Sequence, residues 1–277
     1  MPELPEVQTI VNELQPVVTD RVIQKIKVLT PKMVLGEPKK VYGQKVLGVR
    51  RRAKLIIFDL TDGWHLLIHL KLTGQLFYLS PKEERTKTGE GQNRFTAIIF
   101  YFDDGSRLLF NDLRKFGYLK ILDEKGFLEI LKKENYGPEP LDPDFTLEKF
   151  QKMLFERPNA QIKPLLMDQS FIAGIGNLYS DEILFFAGVH PKRKVNSLDD
   201  IKIEKIYQGI QGVLKEALKY KGSSIDTYRR LNGERGTFEF HRKVYRRKGE
   251  KCFVCGTPIT SLKFGGRTAY YCPTCQK

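Results

Sequence analysis

Apolar residues recur at helical spacing along the first fifteen positions and then switch to the alternation of strands. Val7, Ile10, Val11 and Leu14 share one face of a 3.6-residue period, Pro5 suits a first helical turn, and Pro16 is expected to stop the run. That predicts a helix over 5–15. From 22 to 122 the pattern predicts five strands, Val22–Leu29, Lys45–Leu60, Trp64–Leu79, Phe95–Phe102 and Arg107–Leu122. Thr61-Asp62-Gly63 and Asp103-Asp104-Gly105 are short glycine-bearing links of the kind that close hairpins, which points to a β-sandwich or flattened barrel. Residues 81–94 are polar and rich in Gly, Lys and Glu, so a surface loop is expected there. Pro138, Pro140 and Pro143 then interrupt any regular element. Helical patterns follow at Thr146–Phe155, Lys163–Phe171, Leu178–Ala187 and Ile201–Tyr220, and the last thirty residues return to strand alternation. The fold class is α+β, with an N-terminal helix and β-sandwich followed by a helical part and a short β-hairpin.

Charge sharpens this picture. The 277 residues carry 47 Lys+Arg against 33 Asp+Glu, a net charge of +14. The excess is concentrated: residues 221–277 hold 13 basic and 4 acidic side chains among aromatic residues. A folded basic segment of this kind fits a nucleic acid better than a membrane, because it lacks a continuous amphipathic helix with one basic face. No apolar run approaches the 18 residues that span a bilayer, and no leader pattern precedes the first helix, so a soluble cytoplasmic protein with no membrane partner is expected.

Two short motifs carry chemistry. All 4 cysteines lie in Cys252-x2-Cys255 and Cys272-x2-Cys275, the spacing of a zinc ribbon with four thiolates and no open position for water. Strands at Val254–Ser261 and Thr268–Tyr271 are expected to pair across a turn at Phe264-Gly265-Gly266, which puts Arg267 at the tip. At the other end, removal of Met1 would leave Pro2 with a free secondary amine. An α-amino group titrates at about 7.7–8.0 in simple peptides against about 10.4 for lysine, so far more of it is unprotonated and nucleophilic at neutral pH. Such an amine condenses with an aldehyde-level carbon straight to an iminium, and the neighbouring Glu3 is a candidate general acid. Periodicity alone allows a plainer reading, in which Pro2 and Glu3 merely start a helix.

Met1-Pro2-Glu3-Leu4-Pro5-Glu6, with matching segments along the whole chain, resembles the bacterial formamidopyrimidine-DNA glycosylases. The family excises oxidised purines such as 8-oxoguanine and formamidopyrimidines and nicks the abasic strand. Leu4 sits closer to this branch than to the endonuclease VIII branch, where glycine is usual. The resemblance implies Pro2 as the Schiff-base nucleophile, Glu3 as proton donor and Lys54, in Arg50-Arg51-Arg52-Ala53-Lys54-Leu55, as the lysine that assists elimination. It implies that Arg114 and Phe116, in Asn111-Asp112-Leu113-Arg114-Lys115-Phe116-Gly117, meet the orphaned base and wedge beside it. Leu72, in His69-Leu70-Lys71-Leu72, stands where a methionine wedge is usual. Lys163 and Asn177, the latter in Gly174-Ile175-Gly176-Asn177, take DNA-phosphate roles in a helix–two-turn–helix motif, and Arg157 fits that pattern loosely. Arg267 matches the zinc-finger arginine linked to δ-elimination. Phe95 falls where many members carry a DNA-contacting histidine, so that contact is not carried over.

The implied arrangement is a catalytic β-sandwich domain over 1–133, a linker over 134–144, a helix–two-turn–helix DNA-binding domain with a mobile lesion-capping loop over 145–240, and a zinc finger over 241–277. The implied activity is that of a bifunctional glycosylase and lyase of base excision repair, with one structural zinc ion. It would act on damaged double-stranded DNA as a monomer associated with the nucleoid. Two other readings stay open: a glycosylase of the endonuclease VIII type that prefers oxidised pyrimidines, and a non-catalytic zinc-ribbon binder of damaged DNA.

Overall fold

Helix α1 (Leu4–Val18) buries Val7, Ile10, Val11, Leu14 and Val18 against the strands that follow. It runs past the expected stop. Pro16 removes only its own N–H from the ladder, the Thr19 amide still donates to the Gln15 carbonyl at 3.2 Å, and the extra turn brings Val18 into the core. The structure is a computed structural model describing residues 1–81, 92–264 and 266–277; most of the expected surface loop at 81–94, and Gly265 of the ribbon turn, lie outside the described residues.

Strands β1 (Ile23–Val28), β2 (Val34–Leu35), β3 (Val46–Arg52), β4 (Leu55–Leu60), β5 (Trp64–His69), β6 (Gly74–Leu79), β7 (Thr96–Phe102), β8 (Arg107–Asp112) and β9 (Tyr118–Asp123) form two sheets. One has the order β2-β9-β5-β4-β3 and the other β1-β7-β8-β6. Alternate residues of both, such as Ile56, Phe58, Leu66 and Ile68 from the first and Ile98, Phe100 and Phe110 from the second, share a single core with α1. Both expected hairpin links are present: Thr61–Gly63 joins antiparallel β4 and β5, and 103–105 joins β7 and β8.

Three expected strands are each two strands. Lys45–Leu60 breaks at Ala53 (φ 51°), Trp64–Leu79 breaks around Lys71 (φ 50°) and Arg107–Leu122 breaks around Lys115 (φ 55°). In each case a residue other than glycine adopts the left-handed conformation, so the chain reverses with little local punctuation. Helix α2 (Glu124–Glu134) was not expected either; Phe127, Ile130 and Leu131 share one face of it, and of these only Phe127 is buried.

The remaining elements are α3 (Leu147–Phe155), α4 (Ile162–Met167), α5 (Asn177–Ala187), α6 (Asp200–Lys219), β10 (Thr260–Phe264) and β11 (Arg267–Tyr271). Thr146 caps α3, its hydroxyl accepting from the Lys149 amide at 3.3 Å. The helix expected at Lys163–Phe171 ends at Met167, where Asp168 turns extended. The first ribbon strand starts at Thr260 rather than Val254, because the residues after Cys252 fold as a turn, with the Gly256 amide on the Cys252 carbonyl.

The chain divides into two compact units, Met1–Glu134 with Tyr220–Glu239, and Asn135–Lys219 with Phe240–Lys277. The loop expected at 222–240 lies, up to Glu239, in the first unit. Its residues are strapped to α1: Glu13 accepts from Arg230 Nε at 2.7 Å and from the Leu231 amide at 3.0 Å, and Tyr228 and Leu231 enter the sandwich core. Among the described residues no helix is long and apolar enough to cross a membrane.

Candidate nucleophile, DNA-probing turns and metal centre

Pro2 is buried, and Glu3 is the N-cap of α1 at 5% exposure. Glu3 and Glu6 form a capping box in which the Glu3 amide donates to Glu6 Oε2 at 2.8 Å. The other oxygen of Glu6 accepts from the Ser223 amide at 2.8 Å. Gly222 makes that approach possible: its φ is +78°, and a Cβ there would sit 2.8 Å from Glu6 Oε1. One carboxylate thus joins the start of α1 to the 220–239 strap. Met1 is present, so the Pro2 nitrogen is acylated in this structure and the terminal ammonium lies 3.8 Å from Asp226.

Lys54 occupies the β3–β4 turn and is 7% exposed. Arg51 ties that turn to α1, donating from Nε to Gln8 Oε1 and from Nη1 to the Ala53 carbonyl, both at 2.9 Å. His69, at the end of β5, has its pKa lowered to about 3, first by burial and then by Lys71, Lys54 and Lys120. Its Nδ1 accepts from the Lys71 amide at 2.9 Å. A neutral imidazole ringed by three ammonium groups is a setting that attracts an anion without supplying a proton of its own at neutral pH.

The broken strands present the expected probing residues. Leu72 projects from the β5–β6 turn, and Arg114 and Phe116 from the β8–β9 turn. Phe116 is 52% exposed rather than part of the core, and the Arg114 guanidinium lies 4.6 Å from its ring centroid. Phe95 is half-buried just before β7, with the Arg94 guanidinium 4.8 Å over it. An aromatic face under a cation is what this chain has at the position where the resemblance would place a histidine.

In the second unit, Asn177 is the first residue of α5, after the turn at Gly174 (φ 88°). Gln169 braces that turn, accepting from the Gly174 amide at 2.9 Å and donating to the Met167 and Ile175 carbonyls. Asn177 Nδ2 donates to the Thr268 carbonyl of β11 at 3.1 Å. Arg157 is exposed in the turn after α3, and Arg267 is exposed at the start of β11, with Nη1 4.0 Å from Met167 Sδ.

Lys163 requires a correction. It is 1% exposed, and its ammonium donates to Asp181 Oδ1 at 2.6 Å, Ser180 Oγ at 2.9 Å and the Asn177 carbonyl at 3.3 Å. A cation sunk in this way does not reach a phosphate; it sets the first turn of α5. Asp181, pushed up to about 7 by burial against the pull of Lys163, also accepts from the Tyr270 amide at 2.9 Å. Glu182, fully buried, accepts from the amides of Lys243, Val244 and Tyr245. Gln169, Asp181 and Glu182 were missed in the sequence because a buried polar brace has no periodic signature.

The four cysteines converge at the ribbon. A tetrahedron of Zn–S bonds of about 2.3 Å places sulfurs about 3.8 Å apart. Cys252 and Cys275 Sγ are 3.9 Å apart, Cys255 and Cys272 Sγ are 3.4 Å apart, and all four lie within 4.8 Å of one another. The Val254 and Cys275 amides point at Cys252 and Cys272 Sγ, at 3.4 and 3.5 Å, as they would to support thiolates. The residues fit one structural zinc ion.

Comparison with known proteins agrees along the chain. The formamidopyrimidine-DNA glycosylase N-terminal domain matches residues 1–119, the formamidopyrimidine-DNA glycosylase H2TH domain residues 136–229, and the zinc finger found in FPG and IleRS residues 249–277. Formamidopyrimidine-DNA glycosylases of Listeria innocua and Heliobacterium modesticaldum are 39% and 38% identical to it, covering 100% of both chains. A mutant Lactococcus lactis FPG solved with Fapy-dG-containing DNA superposes with a TM-score of 0.89 at 34% identity, and MutM solved with carbocyclic 8-oxo-G-containing DNA with 0.88 at 32%, each covering 100% of both chains. The chain belongs to the formamidopyrimidine-DNA glycosylase family.

Proposed function

We propose that this protein is a bifunctional DNA glycosylase and abasic-site lyase of base excision repair that removes oxidised purines, 8-oxoguanine and formamidopyrimidines among them, from duplex DNA. The observation that carries the proposal is the seating of Pro2 and Glu3: both are buried at the cap of α1, held by Glu6 and tied through Arg51 to the turn that bears Lys54.

With Met1 removed, the Pro2 amine attacks C1′ of the damaged nucleoside. The C1′–N9 bond breaks, its electron pair leaves with the base, and a carboxyl at Glu3 supplies a proton as the sugar ring opens to an iminium on Pro2. Loss of a C2′ proton lets the C3′–O bond break with the 3′ phosphate leaving. Loss of a C4′ proton then lets the C5′–O bond break with the 5′ phosphate leaving, and water hydrolyses the iminium to free the sugar fragment from the amine. Lys54, in the turn that Arg51 ties to α1, assists these proton transfers and meets the phosphate at the lesion. Arg267 serves the second elimination. Leu72, Arg114 and Phe116 take the place of the everted nucleotide, Asn177 contacts backbone phosphate, and exposed Arg157 adds charge. Zinc, when bound, supplies no chemistry beyond fixing the ribbon.

Borohydride added to Met1-free protein with 8-oxoguanine duplex is expected to trap one covalent adduct on the N-terminal peptide, and strand cleavage is expected opposite cytosine. No adduct on Pro2, from protein that is zinc-loaded and folded, would falsify the mechanism.

A further inference from the structure

The two turns that present Leu72 and Arg114–Phe116 share one anchor. Asp112, the last residue of β8, is fully buried, and its partners are neutral donors from both turns. Thr73 Oγ donates to Oδ1, the Arg114 amide donates to the same oxygen at 3.1 Å, and the Gly117 amide donates to Oδ2 at 2.7 Å. Thr73 closes the ring by accepting from the Arg114 amide at 3.0 Å. There is no slack around this knot. A Cβ at Gly117 would fall 2.6 Å from Phe110 Cζ and 3.0 Å from Asp112 Oδ2, and one at Gly74 would fall 2.5 Å from the Leu70 carbonyl.

A carboxylate is costly to bury, and the sandwich core does not need one here. What it achieves is mechanical. Two exposed turns, each reversing through a residue at positive φ, would yield separately when pushed against stacked bases. A shared acceptor makes them move as one body, so less ordering is left to be done on contact with DNA.

We infer that Asp112 and Thr73 are positioning residues that lock the Leu72 turn and the Arg114–Phe116 turn into a single rigid probe, on which opening of the duplex depends while the bond-breaking steps do not. The inference rests on the glycosylase reading above. Neither residue touches substrate; each acts through the turn it holds.

Asp112→Asn keeps the shape but offers one acceptor oxygen, so its NH2 must face a donor of one turn or the other. Thr73→Val keeps the branched shape and deletes the hydroxyl, and Thr73→Ser restores it. The test compares two substrates: a duplex carrying 8-oxoguanine beside 2-aminopurine, and a single-stranded oligonucleotide with a preformed abasic site, which has no stack to open. D112N and T73V are expected to lower duplex kcat/KM about 10-fold or more and to slow the 2-aminopurine unstacking signal, while single-strand cleavage stays within about twofold. T73S is expected to recover the duplex reaction. A parallel fall in both reactions with T73V, at unchanged Tm, overturns the inference, and so does an unchanged duplex reaction in both variants. If the wild-type protein fails to cut the single strand or form a borohydride adduct, the glycosylase reading falls first and takes the probe with it.

Discussion

Lys163 Nζ lies 2.6 Å from Asp181 Oδ1 with both side chains buried from water, and the second oxygen of that carboxylate holds the Tyr270 amide of β11. The pair therefore links α4, α5 and the ribbon strand that begins at Arg267. Lys163→Met leaves a buried carboxylate without its cation and is expected to cost about 3–5 kcal/mol of stability, read by denaturant unfolding. Adding Asp181→Leu is expected to recover only part of this, because the Tyr270 amide is then orphaned. Full recovery in the double variant would show that the link to the ribbon carries no weight.

The regular elements were legible because their residues obey a period. Helix α1 and the sandwich strands bury alternating or 3.6-spaced side chains, and the four cysteines have the spacing of a zinc ribbon, which the structure brings into one cluster. The turns that carry Lys54, Leu72, Arg114 and Phe116 were read as continuous strand, because Ala53, Lys71 and Lys115 take a conformation that composition usually assigns to glycine or asparagine. The family resemblance singled out these residues within those segments, but only the structure shows that each sits where a strand is interrupted. Lys163 shows the opposite failure. A lysine in a basic protein reads as a surface charge, and nothing local reveals the aspartate eighteen residues away that draws it inside.

Phe116 is exposed, so its removal separates binding from folding. Phe116→Ala is expected to change stability by no more than about 0.5 kcal/mol, since a half-solvated ring away from core packing contributes little. Excision from duplex should fall while cleavage of a single-stranded abasic site persists. A large drop in Tm would instead mean that the ring belongs to the fold.

The ribbon depends on its metal. Its own apolar cluster is small, made of Val244, Cys252, Ile259 and Cys272. Four thiolates around one ion hold that cluster together, and Cys255→Ser removes a ligand from the exposed side. The variant is expected to lose its single equivalent of zinc and its grip on lesion duplex, while near-ultraviolet signals from the sandwich remain. Retention of zinc and of DNA affinity would contradict a structural site.

His69 gives a pH dependence with a definite sign. Its folded pKa is about 3, below the unfolded value of 6.5, because burial and the cations of Lys71, Lys54 and Lys120 oppose a charged ring; Tyr118, 5.5 Å away, faces it from β9. Between those two values the unfolded chain takes up a proton that the folded chain refuses. Stability present above pH 6.5 is therefore lost as pH falls toward 3, with a slope of at most about 1.4 kcal/mol per pH unit from this group. Asp181 works the other way: its pKa is raised from 3.8 to about 7, so its contribution is full in acid and is lost as pH rises through that range. The two slopes oppose each other in the wild type, and the His69 part must be read as a difference. His69→Gln can keep an acceptor for the Lys71 amide and is expected to flatten the acid limb relative to wild type, as followed by urea unfolding at half-unit steps. The ring's Cε1–H resonance should stay in its neutral position down to about pH 4. A resonance that titrates near 6.5 would mean that the imidazole is charged in mild acid, and the ring would then have to be more exposed to water than this structure has it, with the lysines exerting less charge on it.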